Sequence, residues 1–478
     1  MELVGLTLCY LLGFSILLLI SRKYSLAEIF GYSFLLGIGV ETFFLFFLDI
    51  AGIKYSQGVL IAVNLVAIAA ALGINYRKLK EFKLDPDPRS FMQLKNINFP
   101  AVFIGCIIAY LFYCVTVKCL FWPPLERDTF GSFDKLARVM ATEGVLKISL
   151  YQYHLEGAGG VYPPLFHASM AYVYIFGAEM PKIITTLFFL STILVFFDVV
   201  RKYTGATAAA LFTLLLMITP EYFAHAALML GNLPTTAYVC AASLCTVAWL
   251  DKREEKFFWL GAIMMGFVVW VRSDTIVFTA AALFIMGIDF LLKRNWKRML
   301  AYSVIAVLPF IMWTLYLKFK IHDVPSAKFD LGVGYNSEHW GIVKGYVDAY
   351  LFGNTYAYKG MGEIDGMQLY GIAFLSFFTL LFINTAVILW VLFQKGEWKK
   401  RVTPGFYMLL FFAVSFVLYM LLFYFINEKV QAAPLWSLMY SSFKRGIFCF
   451  LPIVFFYVAT NATAQLLFGK LERFRVGA

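Results

Sequence analysis

The stretch Asp251-Lys-Arg-Glu-Glu-Lys-Phe-Phe-Trp-Leu-Gly-Ala-Ile-Met-Met-Gly-Phe-Val-Val-Trp-Val-Arg-Ser-Asp-Thr275 runs directly into Ile276-Val-Phe-Thr-Ala-Ala-Ala-Leu-Phe-Ile-Met-Gly-Ile-Asp-Phe-Leu-Leu-Lys-Arg-Asn-Trp-Lys-Arg298. Two apolar runs, 257–271 and 274–292, are separated only by Arg272-Ser273, and basic clusters bound both outer ends. Apolar segments of roughly 17–25 residues cross a bilayer as helices. The stretch therefore reads as two spans joined by almost no loop, with both basic ends on one side of a membrane.

The rest of the chain follows the same pattern. Of 478 residues, 61% are hydrophobic and 14% charged, and the mean hydropathy is +0.77. Soluble domains carry about 45–50% apolar and about 25% charged residues, so a string of water-soluble domains is excluded. Aromatics reach 19%, with 51 Phe and 28 Tyr, which suits lipid-facing and interfacial positions. Thirteen candidate spans fall at about 2–20, 27–49, 57–75, 100–121, 183–200, 205–220, 233–250, 257–271, 274–292, 299–318, 369–394, 405–426 and 445–469. The apolar segment Tyr162–Gly177 is brief and follows two prolines, so it is expected to be a juxtamembrane helix that does not cross. No basic region precedes the first apolar run, which reads as a span and not as a cleaved signal. The seven cysteines form no CxxC pair and suggest neither a zinc site nor a disulfide framework.

The net charge of +11 could suggest nucleic-acid binding in a soluble protein, but here it follows the positive-inside rule. With the N-terminus outside, 24 of the 40 Lys and Arg fall in cytoplasmic loops, giving that side +13 and the other −2. All five histidines and the two large loops, 122–182 and 319–368, lie outside. Long loops of this kind are usually functional. The cytoplasmic loops are short and basic and contain no Gly-rich phosphate cradle.

Four groups of outside residues can carry chemistry. Glu126 and Asp128 follow the span 100–121 at the membrane surface, where one carboxylate can act as a general base; a solvated rim with Arg127 as charge partner is the plain alternative. Acids two apart do not share a helix face, so the two need not share a site. Tyr162-Pro-Pro-Leu165 holds Tyr162 in an extended entry to an apolar helix, as an interfacial anchor or a ligand contact. Arg272 and Asp274 are expensive at membrane depth unless paired or functional, and an arginine there also suits a phosphate near the headgroups. Lys444 and Arg445 are adjacent cations on the side otherwise depleted of them, which marks an anion site unless they pair with Glu428. His154 with Glu156 and His322 with Asp323 lack the HExxH spacing, so no metal is signalled and no cofactor is certain.

Asp128-Thr-Phe-Gly-Ser-Phe-Asp-Lys-Leu-Ala-Arg138 with Glu143-Gly144 resembles the first-loop "WDALxxWxxKAK…EG" motif of GT-C-fold membrane glycosyltransferases. Tyr162-Pro-Pro-Leu165 is similar to their "YPPL", and Leu230-Gly-Asn-Leu-Pro-Thr-Thr-Ala-Tyr238 to "GYADLPLAxY". Val271-Arg-Ser-Asp-Thr275 is similar to "TKNEG", and Ser441-Ser-Phe-Lys-Arg445 to a late "S…R" before a closing span. These motifs cover roughly 120–450 in family order, whereas 1–99 match only as generic leading spans. By type the pattern is similar to the protein O-mannosyltransferases of glycosyltransferase family 39 and to the aminoarabinose transferases of lipid A.

The resemblance implies an all-α polytopic membrane protein, a GT-C-like bundle of about 13 transmembrane helices with two large extracytoplasmic loops. Its parts are leading helices with a basic loop over 1–99, a catalytic region over 100–469 and a basic tail over 470–478. It further implies inverting transfer from a polyprenyl-phosphate sugar donor to a glycan, lipid or protein acceptor, outside the cytoplasmic membrane. By carry-over Asp128 is the general base, and Tyr162, Asn232, Arg272, Asp274 and Arg445 contact substrate. Glu126 joins the substrate set by proximity, and Lys444 as one of the two adjacent outside cations. Arg127 replaces the motif's tryptophan and Asn232 its acid, so a carboxylate available to sugar hydroxyls or a cation is missing. The rival class is a transporter or lipid-linked-oligosaccharide flippase, which would show matched inverted halves and midplane charges. An oligosaccharide ligase or polymerase of similar fold is the alternative within the class.

Overall fold

The computed structural model describes residues 1–85, 98–124, 129, 133–146, 162–179, 181–321, 334–354, 356, 365–392, 397–426, 428 and 433–465. Ten helices among these are long and apolar enough to cross a bilayer: Glu2–Ile20, Leu26–Ile50, Gln57–Ile74, Phe99–Phe121, Ile183–Thr204, Asn232–Lys252, Ser273–Leu292, Trp296–Lys320, Thr403–Tyr424 and Leu435–Thr460. The chain is an all-α polytopic membrane protein. The other three expected spans are also helical, at Ala206–Met217, Glu255–Val271 and Ala373–Leu392. The first of these has 12 residues, a rise of about 18 Å against a hydrocarbon core of about 30 Å. Leu165–Ile175, with 11 residues, is shorter still.

One boundary differs materially from expectation. The closing helix begins at Leu435, behind Pro434, and not at 445. Its aromatic lead-in continues through a wide π turn at Met439–Phe443. Lys444 and Arg445 therefore sit within a helix and do not open it.

Small residues let the first two helices meet backbone to backbone. A Cβ placed at Gly13 would lie 1.8 Å from the Ser33 carbonyl oxygen, and one at Gly37 would lie 2.0 Å from that of Cys9. In lipid, where tails are as apolar as side chains, such close approach drives helix association. Asn232–Lys252 lies at the centre of the bundle, its apolar window wholly enclosed by protein. Its hydroxyls bond back to the preceding turn, Thr236 to the Asn232 carbonyl at 2.9 Å and Thr246 to that of Ala242 at 2.8 Å.

Charges gather at one end of the bundle. Ser25 and Glu28 form a reciprocal cap on Leu26–Ile50. Glu28, buried, also accepts from Lys202 at 2.6 Å and Lys256 at 3.0 Å. Asp198 accepts from Ser25 at 2.6 Å and Arg201 at 2.9 Å, Arg253 forks onto Asp289, and Arg298 pairs with Glu255. At the same end Lys23–Tyr24 pairs in parallel with Lys83–Leu84. The described basic loops, at 22–23, 83–84, 201–202, 251–256 and 293–298, are thus grouped together in space.

Candidate functional site

Glu255–Val271 starts in this charged network, so Arg272 emerges at the opposite end of the bundle. The turn there is set by Thr275, whose hydroxyl donates to the Arg272 carbonyl at 2.5 Å and to that of Val268 at 2.7 Å. Arg272 itself is extended, and Ser273–Thr275 forms a single 3₁₀ turn before the next span. This short reversal brings Asp274 back alongside Arg272. The guanidinium grips the carboxylate side-on, Nε to Oδ1 at 3.0 Å and Nη2 to Oδ2 at 2.5 Å.

Three other parts of the chain close around this pair. Nη1 of Arg272 donates to Asn232 Oδ1 at 2.9 Å. The guanidinium lies over the Tyr162 ring, 5.2 Å from its centroid, a cation–π contact. A Cβ at Gly231 would meet Phe133, Phe166 and the Arg272 stem, all at 3.9–4.0 Å, so the first outer loop and the Tyr-Pro-Pro helix share this wall. Thr129 donates to the Met229 carbonyl at 3.1 Å, tying the same loop to the segment that leads into Gly231. Burial works against the charge on Arg272, but Asp274 and Tyr162 outweigh it and hold the guanidinium above its ordinary range.

Behind Asn232 stands His225, 4% exposed, with Nε2 at 3.3 Å from the Asn232 amide nitrogen and Nδ1 at 2.8 Å from the Glu221 carbonyl. Phe448 of the closing helix covers the imidazole at 4.8 Å between centroids. Burial holds the imidazole below its ordinary value; Glu221 opposes this, and Arg445 and Lys444 add to it. The closing helix thereby brings its two cations within electrostatic reach of the same cluster. Tyr370 donates to the Lys444 carbonyl at 2.6 Å, and Tyr350 caps those of Met439 and Tyr440. Glu428, the alternative partner for these cations, accepts from the Leu435 backbone N–H.

The first loop is anchored independently. Gly144 ends the helix Asp134–Glu143 in the left-handed region, at φ +70°, which favours glycine. Its carbonyl accepts from Tyr55 N–H at 2.8 Å, and Leu146 N–H donates to Asp49 at 2.7 Å. The Glu143-Gly144 part of the motif is therefore a helix stop clamped to the end of Leu26–Ile50. Within that helix, buried Asp134 accepts from Arg138 at 2.8 Å and from the Tyr174 hydroxyl.

Of the residues singled out in the sequence, Tyr162, Asn232, Arg272 and Asp274 are brought together, and Lys444 and Arg445 lie on the helix that covers them. Asp128, Glu126, Arg127, His154, Glu156, His322 and Asp323 lie outside the described residues. The sequence reading missed His225 and Glu221. The only signal for them was their place just after Pro220, nine and five residues before the motif that they support. Among the described residues no three His, Cys, Asp or Glu side chains converge as a metal group.

A helical bundle of membrane-crossing segments defines a multi-pass membrane protein, and the charged and hydrogen-bonded cluster at the end opposite its basic network is its candidate site. Residues 163–316 match the family described as dolichyl-phosphate-mannose-protein mannosyltransferase. The matched segment takes in Gly231–Asn232 and Arg272–Asp274, and it supports a GT-C-like membrane glycosyltransferase using a lipid-linked sugar donor. Comparison with curated proteins and with solved structures finds no match.

Proposed function

We propose that the protein transfers a sugar, with inversion, from a polyprenyl-phosphate donor to an acceptor hydroxyl on the outer side of the cytoplasmic membrane. The observation that carries this reading is the convergence of segments remote in sequence on one cluster: the Tyr-Pro-Pro turn and Asn232 meet Arg272, the first loop meets Met229 and Gly231, and the closing helix meets His225. In this reading the Asp128 carboxylate takes the acceptor proton as its oxygen attacks the anomeric carbon. The glycosidic bond to the lipid phosphate breaks and its electron pair leaves on the phosphate. Thr129, the next residue, is fixed to Met229, which supports a base at that position.

Arg445, at the late motif arginine, holds the departing phosphate together with the adjacent Lys444, by charge-assisted hydrogen bonds. Tyr162, Asn232 and Asp274 then face the sugar, and Glu126 stands near the acceptor. The protein, reconstituted in liposomes, is given a panel of polyprenyl-phosphate sugars, and release of polyprenyl phosphate is followed. Asp128→Asn is expected to lower that rate about 10²–10⁴-fold, the usual worth of a general base. An unchanged rate in that variant removes the base. A wild-type protein that releases no polyprenyl phosphate but carries a lipid-linked sugar across the bilayer is a transporter, and the reading falls.

A further inference from the structure

Hydrogen-bond polarity fixes more of this site than its contacts alone. Arginine has five N–H donors and no acceptor, so the Asn232 atom 2.9 Å from Arg272 Nη1 is the amide oxygen. The amide nitrogen is then the group that meets His225 at 3.3 Å, and it can only donate. His225 Nε2 must therefore be a bare acceptor. Its proton sits on Nδ1, which donates to the Glu221 carbonyl at 2.8 Å. The run Arg272 to Asn232 to His225 to Glu221 points one way throughout and works only with a neutral imidazole.

We propose that His225 is a positioning residue: its neutral imidazole, acting through the Asn232 amide, holds Arg272 in place, and acid breaks this arrangement. A proton on Nε2 would face the Asn232 NH₂ group donor to donor. Turning the amide relieves that contact but sets the same NH₂ against Arg272. One acceptor cannot serve two donors on opposite sides, and an amide offers only one oxygen end. A carboxylate at position 232 would serve both. This inference rests on the donor-transfer reading only for its effect on turnover.

The groups around His225 come from the elements packed on its helix, Ile183–Thr204 among them, which meets it through the uncharged Phe189 and Thr185. Glu221, on its own short helix, has Oε1 3.8 Å from Nδ1 and favours the charged ring. Lys444 and Arg445 on the closing helix oppose it. Gly366–Tyr370, which packs on Pro220–His225, contributes Tyr370 and the capping Asp365. Ala206–Met217 contributes no titratable side chain, and Asn232–Lys252 contributes Asn232 itself.

Two measurements on the full-length protein in nanodiscs test the proposal between pH 5 and 8. In the first, kcat/KM for polyprenyl-phosphate sugar is expected to fall about tenfold per pH unit below the imidazole ionisation. His225→Gln and Asn232→Asp are each expected to flatten that limb, and a limb unchanged in both variants overturns the proposal. The second is thermal melting, which needs no turnover. A buried neutral histidine binds its proton less readily when folded than when unfolded, near pH 6.5. Its stabilisation is present above that pH and is lost as pH falls towards the folded value. The acid-side loss of melting temperature is therefore expected to be larger in wild type than in His225→Gln or Asn232→Asp. Identical losses in all three overturn the proposal. If melting follows this pattern but no sugar moves at any pH, the positioning role stands and the donor reading falls.

Discussion

Replacing Asp274 by Asn removes one charge from the pair around which the site is built, while keeping its shape. Unit charges about 4 Å apart interact by about 4 kcal/mol at an effective dielectric of 20. The Arg272 and Asp274 side chains are 16% and 21% exposed, so water screens part of this. Asn at 274 also keeps one acceptor for Nε or Nη2. The expected loss is therefore roughly 2–3 kcal/mol, below the 3–5 kcal/mol typical of breaking a fully buried pair. For cooperative unfolding of a chain this long, an unfolding entropy of about 2.1 cal/mol/K per residue makes each kcal/mol worth about 1 °C. Asp274→Asn should thus melt about 2–3 °C below wild type in detergent, read by tryptophan fluorescence. Arg272→Met should fall by a similar amount, because it strands the carboxylate. The double variant should recover at least half of the summed loss, since neither charge is left without its partner. Simple additivity in the double variant would refute the pairing as the organising interaction.

Lys444→Gln and Arg445→Gln should each raise the KM for polyprenyl-phosphate donor about tenfold or more, as expected for losing one charge-assisted bond; equal KM values in a steady-state release assay count against a phosphate seat there. Tyr162→Phe keeps the ring under Arg272 and should retain most turnover, whereas Tyr162→Ala should lose about 3–30-fold, the range of a partly desolvated cation–π contact. Gly144→Val forces a β-branched residue to φ +70° with its Cβ 3.1 Å from the Tyr55 carbonyl oxygen; a loss of about 1–3 kcal/mol is expected, read as lower melting temperature and faster proteolysis of the first loop. Glu28→Gln leaves Lys202 and Lys256 facing a neutral amide at the buried end of three helices, and folded yield by size-exclusion chromatography should drop severalfold.

The fold was legible wherever lipid dictated composition. Apolar length placed most spans to within a few residues, because a bilayer imposes one thickness on every helix that crosses it. It failed at Leu435, where Trp436, Met439 and Tyr440 suit either an interfacial loop or a helix, and only packing beneath Tyr350 and Tyr370 decides. The site was legible where a residue type was expensive. Arg272 and Asp274 stood out because ions are rare between two spans, and they proved to be each other's partners. His225 left no such trace: a histidine near a membrane surface is ordinary until Asn232 and Glu221 are seen on either side of it. Asp49 was likewise hidden, because its partners, Leu146 N–H and the Tyr316 hydroxyl, come from distant segments. Pattern along one chain cannot express a hydrogen bond between two.

The enclosed central helix, Asn232–Lys252, bears on how the protein is made. It starts at the site residue Asn232 and carries Thr235, Thr236, Ser243 and Thr246, and its mean hydropathy, 1.4, is the lowest of the ten long spans. A segment of that kind partitions weakly into lipid by itself, since threonine and asparagine gain little from hydrocarbon. Its favourable environment is other protein: Ile183–Thr204 is synthesised before it, and Glu255–Val271, the helix packed most extensively on it, directly after it. The least lipid-soluble span is thus made between two helices that enclose it, and its shelter is complete only once the second has followed. Assembly order, and not lipid affinity, would then keep Asn232 at the membrane face where Arg272 meets it.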